Sequence, residues 1–161
     1  MEKSPAAPGC FSVRNRRKDN TCPVVRGLVI STRMETDRLQ RILVAEDESD
    51  WQDIHRMALE TMGGFTVKIC SNGKEALKAA PGFKPDFLIL DVMMGDMTGM
   101  QLLNELRALP DFADTPAIFL TARAQAHELE EYRSYSVAEV ISKPYDPMSL
   151  AERIRGIWSA L

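Results

Sequence analysis

The sequence has few cysteines, the residues that stabilise many small domains through disulfide bonds or bound zinc. Its three cysteines, Cys10, Cys22 and Cys70, are odd in number, widely spaced and form no Cys-x-x-Cys pair. Such a set supports neither a disulfide framework nor a zinc site. No stretch approaches the roughly 20 apolar residues that span a bilayer, and no continuous apolar segment of a signal peptide is present. We therefore expect a cytoplasmic protein with no membrane partner.

Net positive charge is confined to the first 33 residues. Those residues carry seven Lys or Arg and two acidic side chains, although the whole chain has a net charge of -3. The rest is therefore clearly acidic and a poor binder of DNA, because duplex binding rests on neutralising phosphates. Residues 1–36 also lack apolar periodicity. We expect them to be a disordered or loosely attached extension before a folded domain at residues 37–161.

Strand-like and helix-like segments alternate five times from Arg41 onward. The predicted strands, 41–45, 65–70, 87–90, 117–120 and 139–142, are rich in Ile, Val, Leu and Phe. Strands that are apolar on both faces favour a parallel sheet covered by helices on each side. The sequence therefore predicts an α/β fold, a doubly wound (βα)5 sheet of the flavodoxin-like kind with strand order 2-1-3-4-5.

The helices carry local start and stop signals. Asp50 is predicted to cap the first helix, which runs to about Met62, and His55 is expected on its surface. The predicted buried face of this helix consists of Ile54, Met57, Ala58 and Met62. Pro81 is expected to end the second helix at Ala80.

Two further helix starts have stronger signatures. Thr98 and Gln101 have the spacing of a capping box, which predicts the start of the third helix. Asp146 followed by Pro147 predicts the start of the fifth helix, with a cap residue and a proline at the first helical position.

Polar side chains follow the strands where each strand ends. Glu46 and Asp47 follow the first strand, Asp91 ends the third, Thr121 follows the fourth and Lys143 follows the fifth. Open α/β sheets carry their chemistry at the carboxyl ends of their strands. Strands one and three are neighbours in the predicted order, so three carboxylates converge and repel one another unless a cation joins them. These groups can together hold a divalent cation and a phosphoryl group.

This set of motifs resembles the response-regulator receiver domain of two-component signalling, in its stand-alone form. The resemblance covers about residues 40 to 160. It rests on the segments Ile42-Leu43-Val44-Ala45-Glu46-Asp47-Glu48, Leu90-Asp91-Val92-Met93-Met94 with Met97-Thr98-Gly99, Leu120-Thr121-Ala122, and Ser142-Lys143-Pro144-Tyr145.

The resemblance implies a phosphorylation site at Asp91. A carboxylate is ionised at neutral pH and can attack a phosphoryl group without activation by a base. Lys143 would supply positive charge to the phosphoryl oxygens, and a cis peptide before Pro144 would aim it into the site. The Thr121 hydroxyl would donate a hydrogen bond to the phosphoryl group. The movement of Thr121 toward that group would shift the loop after the fourth strand.

The resemblance also implies a metal site for Mg²⁺ or Mn²⁺. By the family pattern, Asp47 and Asp91 are direct ligands, Glu46 acts through water and the backbone carbonyl of Met93 completes the protein shell. Mg²⁺ prefers such an oxygen shell and commonly bridges carboxylates to phosphate.

The expected partners follow from the same resemblance. They are a sensor histidine kinase or phosphotransfer protein upstream and an unidentified protein downstream, with a homodimer through the fourth helix, fifth strand and fifth helix as a further option. Two alternatives stay open. One is an interaction module that is not regulated by phosphorylation. The other is a Mg²⁺-dependent phosphohydrolase, although its usual second acid is replaced here by Met93.

The chain departs from the receiver pattern at two positions. Gly95 stands where receivers usually carry proline, which predicts a less preorganised loop. Val140 replaces an aromatic residue that commonly moves on activation, and Tyr145 is the nearest aromatic substitute. Met93 and Arg123 are expected to flank the phosphoryl group, where an apolar Met93 predicts slow loss of that group by hydrolysis.

Overall fold

The computed structural model describes residues 39–122 and 125–161. The predicted extension at 1–36 and Arg123 lie outside the described residues. The strands are β1 (Arg41–Ala45), β2 (Thr66–Cys70), β3 (Phe87–Asp91), β4 (Ala117–Thr121) and β5 (Glu139–Ser142). The α-helices are α1 (Ser49–Arg56), α2 (Gly73–Phe83), α3 (Gly99–Arg107), α4 (Ala126–Arg133) and α5 (Pro147–Ser159). All strand pairs are parallel and the order is β2-β1-β3-β4-β5, which confirms the predicted fold.

Two apolar layers enclose the sheet because alternate strand residues point to opposite faces. One layer joins Leu43, Leu88, Leu90 and Phe119 to α2, α3 and α4. The other joins Ile42, Val44, Ile89 and Leu120 to α5 and to the segment after α1. In α3 the fully buried leucines are Leu102, Leu103 and Leu106. With both faces covered by apolar side chains, the polar residues are collected at the carboxyl ends of the strands, outside these two layers.

The first helix differs from its prediction at both ends. Its N-cap residue is Glu48, without a side-chain cap hydrogen bond, so the expectation that Asp50 caps it is wrong. After α1 the chain continues as a π-helical segment, Met57–Met62. Its wider i to i+5 turn moves residues off a 3.6-residue stripe. Met57 and Met62 are consequently about half exposed rather than buried.

Ala58 is buried as predicted, and His55 and Leu59 form the buried side of this region with it. These three residues are spaced as neighbours on one helical face, at i, i+3 and i+4. The expectation that His55 lies on the surface is therefore wrong, since its side chain is fully buried. A histidine fits either a wet or a packed position, so residue type alone does not decide its place.

Pro81 lies inside α2, and the expectation that it ends the helix is also wrong. It falls in the last turn, where the loss of one backbone donor removes little of the helical hydrogen bonding. The helix ends at Lys84 in the left-handed conformation, whose N–H bonds to the Ala80 carbonyl. The predicted capping box of Thr98 and Gln101 and the Asp146 cap are both confirmed.

Candidate functional site

The sheet brings the predicted polar residues to one edge. Ala45 of β1 pairs with Leu90 of β3, so Glu46, directly after β1, and Asp91, the last residue of β3, lie at the same level on adjacent strands. Thr121 of β4 is buried at the same edge, and its carbonyl accepts a hydrogen bond from the Lys143 N–H at 2.7 Å. Four strand ends therefore meet at one place, as the strand order requires.

Lys143 is held between two carboxylates. Its Nζ lies 2.7 Å from Glu46 Oε2 and 2.9 Å from Asp91 Oδ2. All three side chains are almost fully buried, with exposed fractions of 5% or less. The peptide bond between Lys143 and Pro144 is cis, as predicted. The geometry places a positive charge directly beside the carboxylate of Asp91.

The electrostatics of this group reflect its burial. Burial raises the pKa of Glu46 to about 7, with a smaller upward effect from the charge of Asp91 and opposition from Lys143. For Lys143, burial alone would lower the pKa, but hydrogen bonds and charges from Glu46 and Asp91 outweigh it and raise the pKa above its ordinary value. At neutral pH Lys143 therefore stays protonated, whereas Glu46 titrates in this range.

Three carboxylates are placed to share a cation. One oxygen from each of Glu46, Glu48 and Asp91 lies within 4.8 Å of the others. Glu46 Oε1 is buried and has no hydrogen-bond partner among the described residues. An orphaned buried carboxylate oxygen is costly, and a metal ion would satisfy it. The donor set, oxygen from carboxylates, suits a hard divalent cation.

Glu48 is the site residue that sequence reasoning missed. The signal was present, because Glu48 is the third of three consecutive acidic residues after β1. Asp47, expected as a direct ligand, is outside the group of three; its Oδ2 accepts the N–H of Gly95 at 3.1 Å. Its role as a ligand, like that of the Met93 carbonyl, stays a prediction.

The loop after Asp91 is anchored at several points. Asp91 Oδ1 accepts the N–H of Met93 at 3.2 Å. Asp96 accepts the N–H groups of Gly73 and Lys74, at 3.0 and 3.1 Å, and so caps the start of α2. The loop expected to be loose because of Gly95 is therefore tied to β3, to Asp47 and to α2.

An aromatic cluster of Trp51, His55 and Tyr145 lies beside Lys143. Tyr145 stacks on Trp51 with ring centroids 5.1 Å apart, and its hydroxyl forms a short hydrogen bond with His55 Nε2. The Lys143 Nζ lies 5.1 Å from the Trp51 ring centroid. Burial lowers the pKa of His55 to about 4, with a further downward effect from Lys143 and an opposing effect from Asp91. The sequence indicated Tyr145 as an aromatic substitute for the residue that Val140 replaces, but it gave no role to Trp51 or His55.

Comparison with known proteins decides the family. Residues 42–155 match the family model described as response regulator receiver domain. The chain belongs to this family. As a receiver domain it is placed in two-component signalling, whose receivers interact with histidine kinases or phosphotransfer proteins and bind Mg²⁺ at an acidic pocket.

The relatives of this receiver domain differ in length. It is 34% identical over 122 residues to an uncharacterised 14.6 kDa protein of Leptolyngbya boryana, covering 76% of this chain and 92% of that protein. It is 32% identical over 114 residues to the transcriptional regulatory protein YvrH of Bacillus subtilis, covering 71% of this chain and 47% of YvrH. The chain thus spans about half the length of YvrH and of several other curated relatives.

Solved structures confirm the receiver fold. A response regulator from Desulfuromonas acetoxidans has a TM-score of 0.69 at 29% identity, covering 76% of this chain and 98% of that one. The chemotaxis protein CheY4 of Vibrio cholerae has a TM-score of 0.69 at 23% identity, covering 74% and 99%. None of the helices within residues 39–122 and 125–161 is long and apolar enough to cross a membrane.

Proposed function

We propose that this receiver is a phospho-accepting response regulator. Asp91 receives a phosphoryl group from a sensor histidine kinase or a phosphotransfer protein, in a reaction that depends on Mg²⁺. The observation that carries the proposal is the contact of the buried Asp91 carboxylate with the Lys143 ammonium at 2.9 Å, beside carboxylates able to share a cation. A buried nucleophile with a fixed cation next to it suits transfer of a highly charged group.

The chemistry is a displacement at phosphorus. A carboxylate oxygen of Asp91 forms a bond to phosphorus while the bond from phosphorus to the donor imidazole nitrogen breaks. The leaving nitrogen takes the electron pair of that bond, and the proton on the other ring nitrogen makes the released histidine neutral, so the products are an acyl phosphate and a neutral imidazole. Lys143 lies where its ammonium can pair with a phosphoryl oxygen. Thr121, buried at the end of β4, is assigned the hydroxyl that contacts the phosphoryl group after transfer.

Glu46, Glu48 and Asp91 are the residues that would hold Mg²⁺, with Asp47 and the Met93 carbonyl as further ligands from the family pattern. When bound, the cation neutralises charge on the carboxylates and on the transferring phosphoryl oxygens. The orphaned Oε1 of Glu46 is the observation that fits this role.

Incubation with acetyl phosphate and Mg²⁺ tests the proposal. Intact-protein mass spectrometry should show the gain of one phosphoryl group in the wild type and none in Asp91→Asn. Asp53→Asn, which changes an exposed carboxylate on α1, is the matched control and should still gain the group. No gain in the wild type would favour the alternative, an interaction module that does not depend on phosphorylation.

The output of the receiver is proposed to pass through protein contact. Val140 lies partly buried in β5, packed against the apolar layer that contains Phe119 and Tyr132. It offers no aromatic ring to move, so backbone movement after Thr121 or other side chains must carry the signal. A homodimer through α4, β5 and α5 stays a proposal of the same kind.

Magnesium affinity should depend on pH. Because Glu46 has a pKa of about 7, a proton competes with the cation below that pH. We expect the dissociation constant for Mg²⁺ to be about tenfold larger at pH 6 than at pH 8. Isothermal titration calorimetry should measure it, with Glu46→Gln as the control whose pH dependence is much flatter. Equal affinities of the wild type at both pH values would contradict the prediction.

Gly95 should limit magnesium affinity through its N–H. In the structure that N–H binds Asp47, which a proline could not do. Gly95→Pro should strengthen Mg²⁺ binding about fivefold, since the cation no longer displaces a hydrogen bond of about 1 kcal/mol. Gly95→Ala keeps the N–H and has room for its Cβ, 3.9 Å from Asp47 Oδ2, so it should bind like the wild type. A proline variant that binds no tighter than the alanine variant would refute this role.

The acyl phosphate should be long-lived. Met93 is about half exposed beside Asp91 and has no polar group with which to orient an attacking water. In a radiolabel decay assay we expect a half-life well beyond seconds, shortened several-fold in Met93→Asn. A wild-type half-life of seconds would overturn the prediction. Met93 also stands where a Mg²⁺-dependent phosphohydrolase usually has its second acid, which argues against that alternative.

A further inference from the structure

The aromatic cluster joins α1 to the loop that carries Lys143. Tyr145 lies two residues after Lys143, and its hydroxyl bonds to His55 Nε2. His55 and Tyr145 rings lie roughly parallel, with an interplanar angle of 17°. Trp51, one helical turn before His55, stacks on Tyr145 at an angle of 27°. The three rings thus form one contiguous cluster, in which the Trp51 ring lies beside the Lys143 ammonium.

His55 is an expensive residue for this position. It is fully buried, and its Nδ1 has no hydrogen-bond partner among the described residues. An apolar side chain would fill the space without burying an unpaired nitrogen. The Tyr145 hydroxyl is its hydrogen-bond partner within the described part of the chain. The hydrogen bond to Tyr145 is a contact that an apolar side chain of similar size could not make.

Lys143 is a side chain that needs such support. Its ammonium sits on a flexible four-carbon stem that has little geometric preference of its own. Glu46 and Asp91 contact the ammonium at 2.7 and 2.9 Å, while the Trp51 ring approaches it to 5.1 Å. A cation near an aromatic face is attracted to it, so Trp51 restricts the lysine as the carboxylates do.

We propose that His55 is a positioning residue for Lys143, acting through Tyr145 and Trp51. The His55 hydrogen bond fixes the Tyr145 ring, the ring fixes Trp51 and the loop after β5, and both fix the ammonium beside Asp91. The proposal rests on the proposed function, because positioning matters for the rate of transfer to Asp91. It adds a route from the phosphorylation site to α1.

The first test is kinetic and uses acetyl phosphate with saturating Mg²⁺. Tyr145→Phe keeps the ring and removes the hydroxyl, and His55→Leu removes the imidazole at similar volume. Each should lower the maximal rate of Asp91 phosphorylation at least about fivefold, with little change in half-saturation by the donor, because misplacing a catalytic group slows the reaction itself. His55→Gln, whose amide can still bond to Tyr145, should recover most of the rate. The double variant should be no slower than either single variant, since one interaction is lost.

The second test does not need phosphorylation. In ¹⁵N NMR of the side-chain ammonium groups, Lys143 should give a sharp, slowly exchanging signal in the wild type and in His55→Gln. The signal should broaden or vanish in Tyr145→Phe and His55→Leu, while circular dichroism shows the fold intact. An unchanged signal in these two variants, or full phosphorylation rates, would overturn the positioning role. If the wild type takes up no phosphoryl group, the proposed function fails and the NMR result alone decides the positioning.

Discussion

Replacement of Lys143 by methionine should destabilise the Mg²⁺-free protein by about 3 kcal/mol at pH 8. The lysine ammonium is buried between Glu46 and Asp91, and each of these carboxylates is almost fully shielded from water. Methionine fills similar space but leaves two neighbouring buried negative charges without a counter-charge. Removing one partner of a buried ion pair is costly for this reason, whatever the net value of the pair itself.

The loss should depend on pH and on the cation. At pH 6 it should be smaller than at pH 8, because Glu46 already has a pKa of about 7, which the loss of Lys143 raises further, so that protonation removes one charge. Mg²⁺ should restore more stability to Lys143→Met than to the wild type, since it replaces the missing positive charge. Urea unfolding followed by circular dichroism measures each value.

The matched control for this substitution is Lys74→Met. Lys74 is an exposed lysine at the start of α2, and its replacement should change the free energy of unfolding by less than about 0.5 kcal/mol. If Lys143→Met were as stable as Lys74→Met at pH 8 without Mg²⁺, the buried ion pairs would not have the energetic role that the geometry gives them.

Acidification from pH 7 to pH 4 should remove about 3 kcal/mol of stability through His55 alone. Burial lowers its pKa from 6.5 to about 4 in the folded state. Between pH 6.5 and pH 4 His55 is therefore protonated in the unfolded chain but largely neutral in the folded protein. The stabilisation is fully present above pH 6.5 and is lost progressively as the pH falls toward 4.

Glu46 titrates in an overlapping range with the opposite sign. Its raised pKa lets the folded state bind a proton between about pH 4.5 and 7, so its contribution favours folding at the lower pH. The wild-type profile is thus a sum of two opposing terms. The difference between the wild type and His55→Gln isolates the histidine.

Urea unfolding at several pH values should show that difference shrinking or reversing by about 3 kcal/mol between pH 7 and pH 4. His127→Gln makes the same substitution at an exposed position of α4 and is the matched control for the change of residue type. A pH-independent difference between the wild type and His55→Gln would mean that His55 is accessible to protons in the folded protein.

The sheet and the place of most of the candidate site residues could be predicted because they depend on short, strongly patterned segments. β1, β3, β4 and β5 have apolar middles with a polar residue at or directly after the carboxyl end, and parallel strands bring such ends together whatever the loops do. Asp91, Thr121 and Lys143 were predictable on this ground. The start of α3 was predictable too, because a capping box is a local hydrogen-bonding pattern.

The errors fall where tertiary packing outweighs local pattern. The π-helical segment Met57–Met62 changes which side of the first helical region is buried. Its amino-acid composition does not indicate that the chain leaves the α-helical conformation there. Burial of His55 depends on Tyr145, which lies 90 residues later in the chain. The place of Glu48 in the carboxylate group depends on how the loop after β1 turns, which an acidic run alone does not specify.

The anchored loop after Asp91 also constrains the number of residues between its contacts. The loop begins at Asp91. In its middle the N–H of Gly95 donates to Asp47, and near its end Asp96 accepts the N–H groups of Gly73 and Lys74 in the first turn of α2. Each residue added or removed would shift the following carboxylate along the chain by up to about 3.8 Å, more than a hydrogen bond tolerates. This stretch can therefore vary in residue type far more readily than in length.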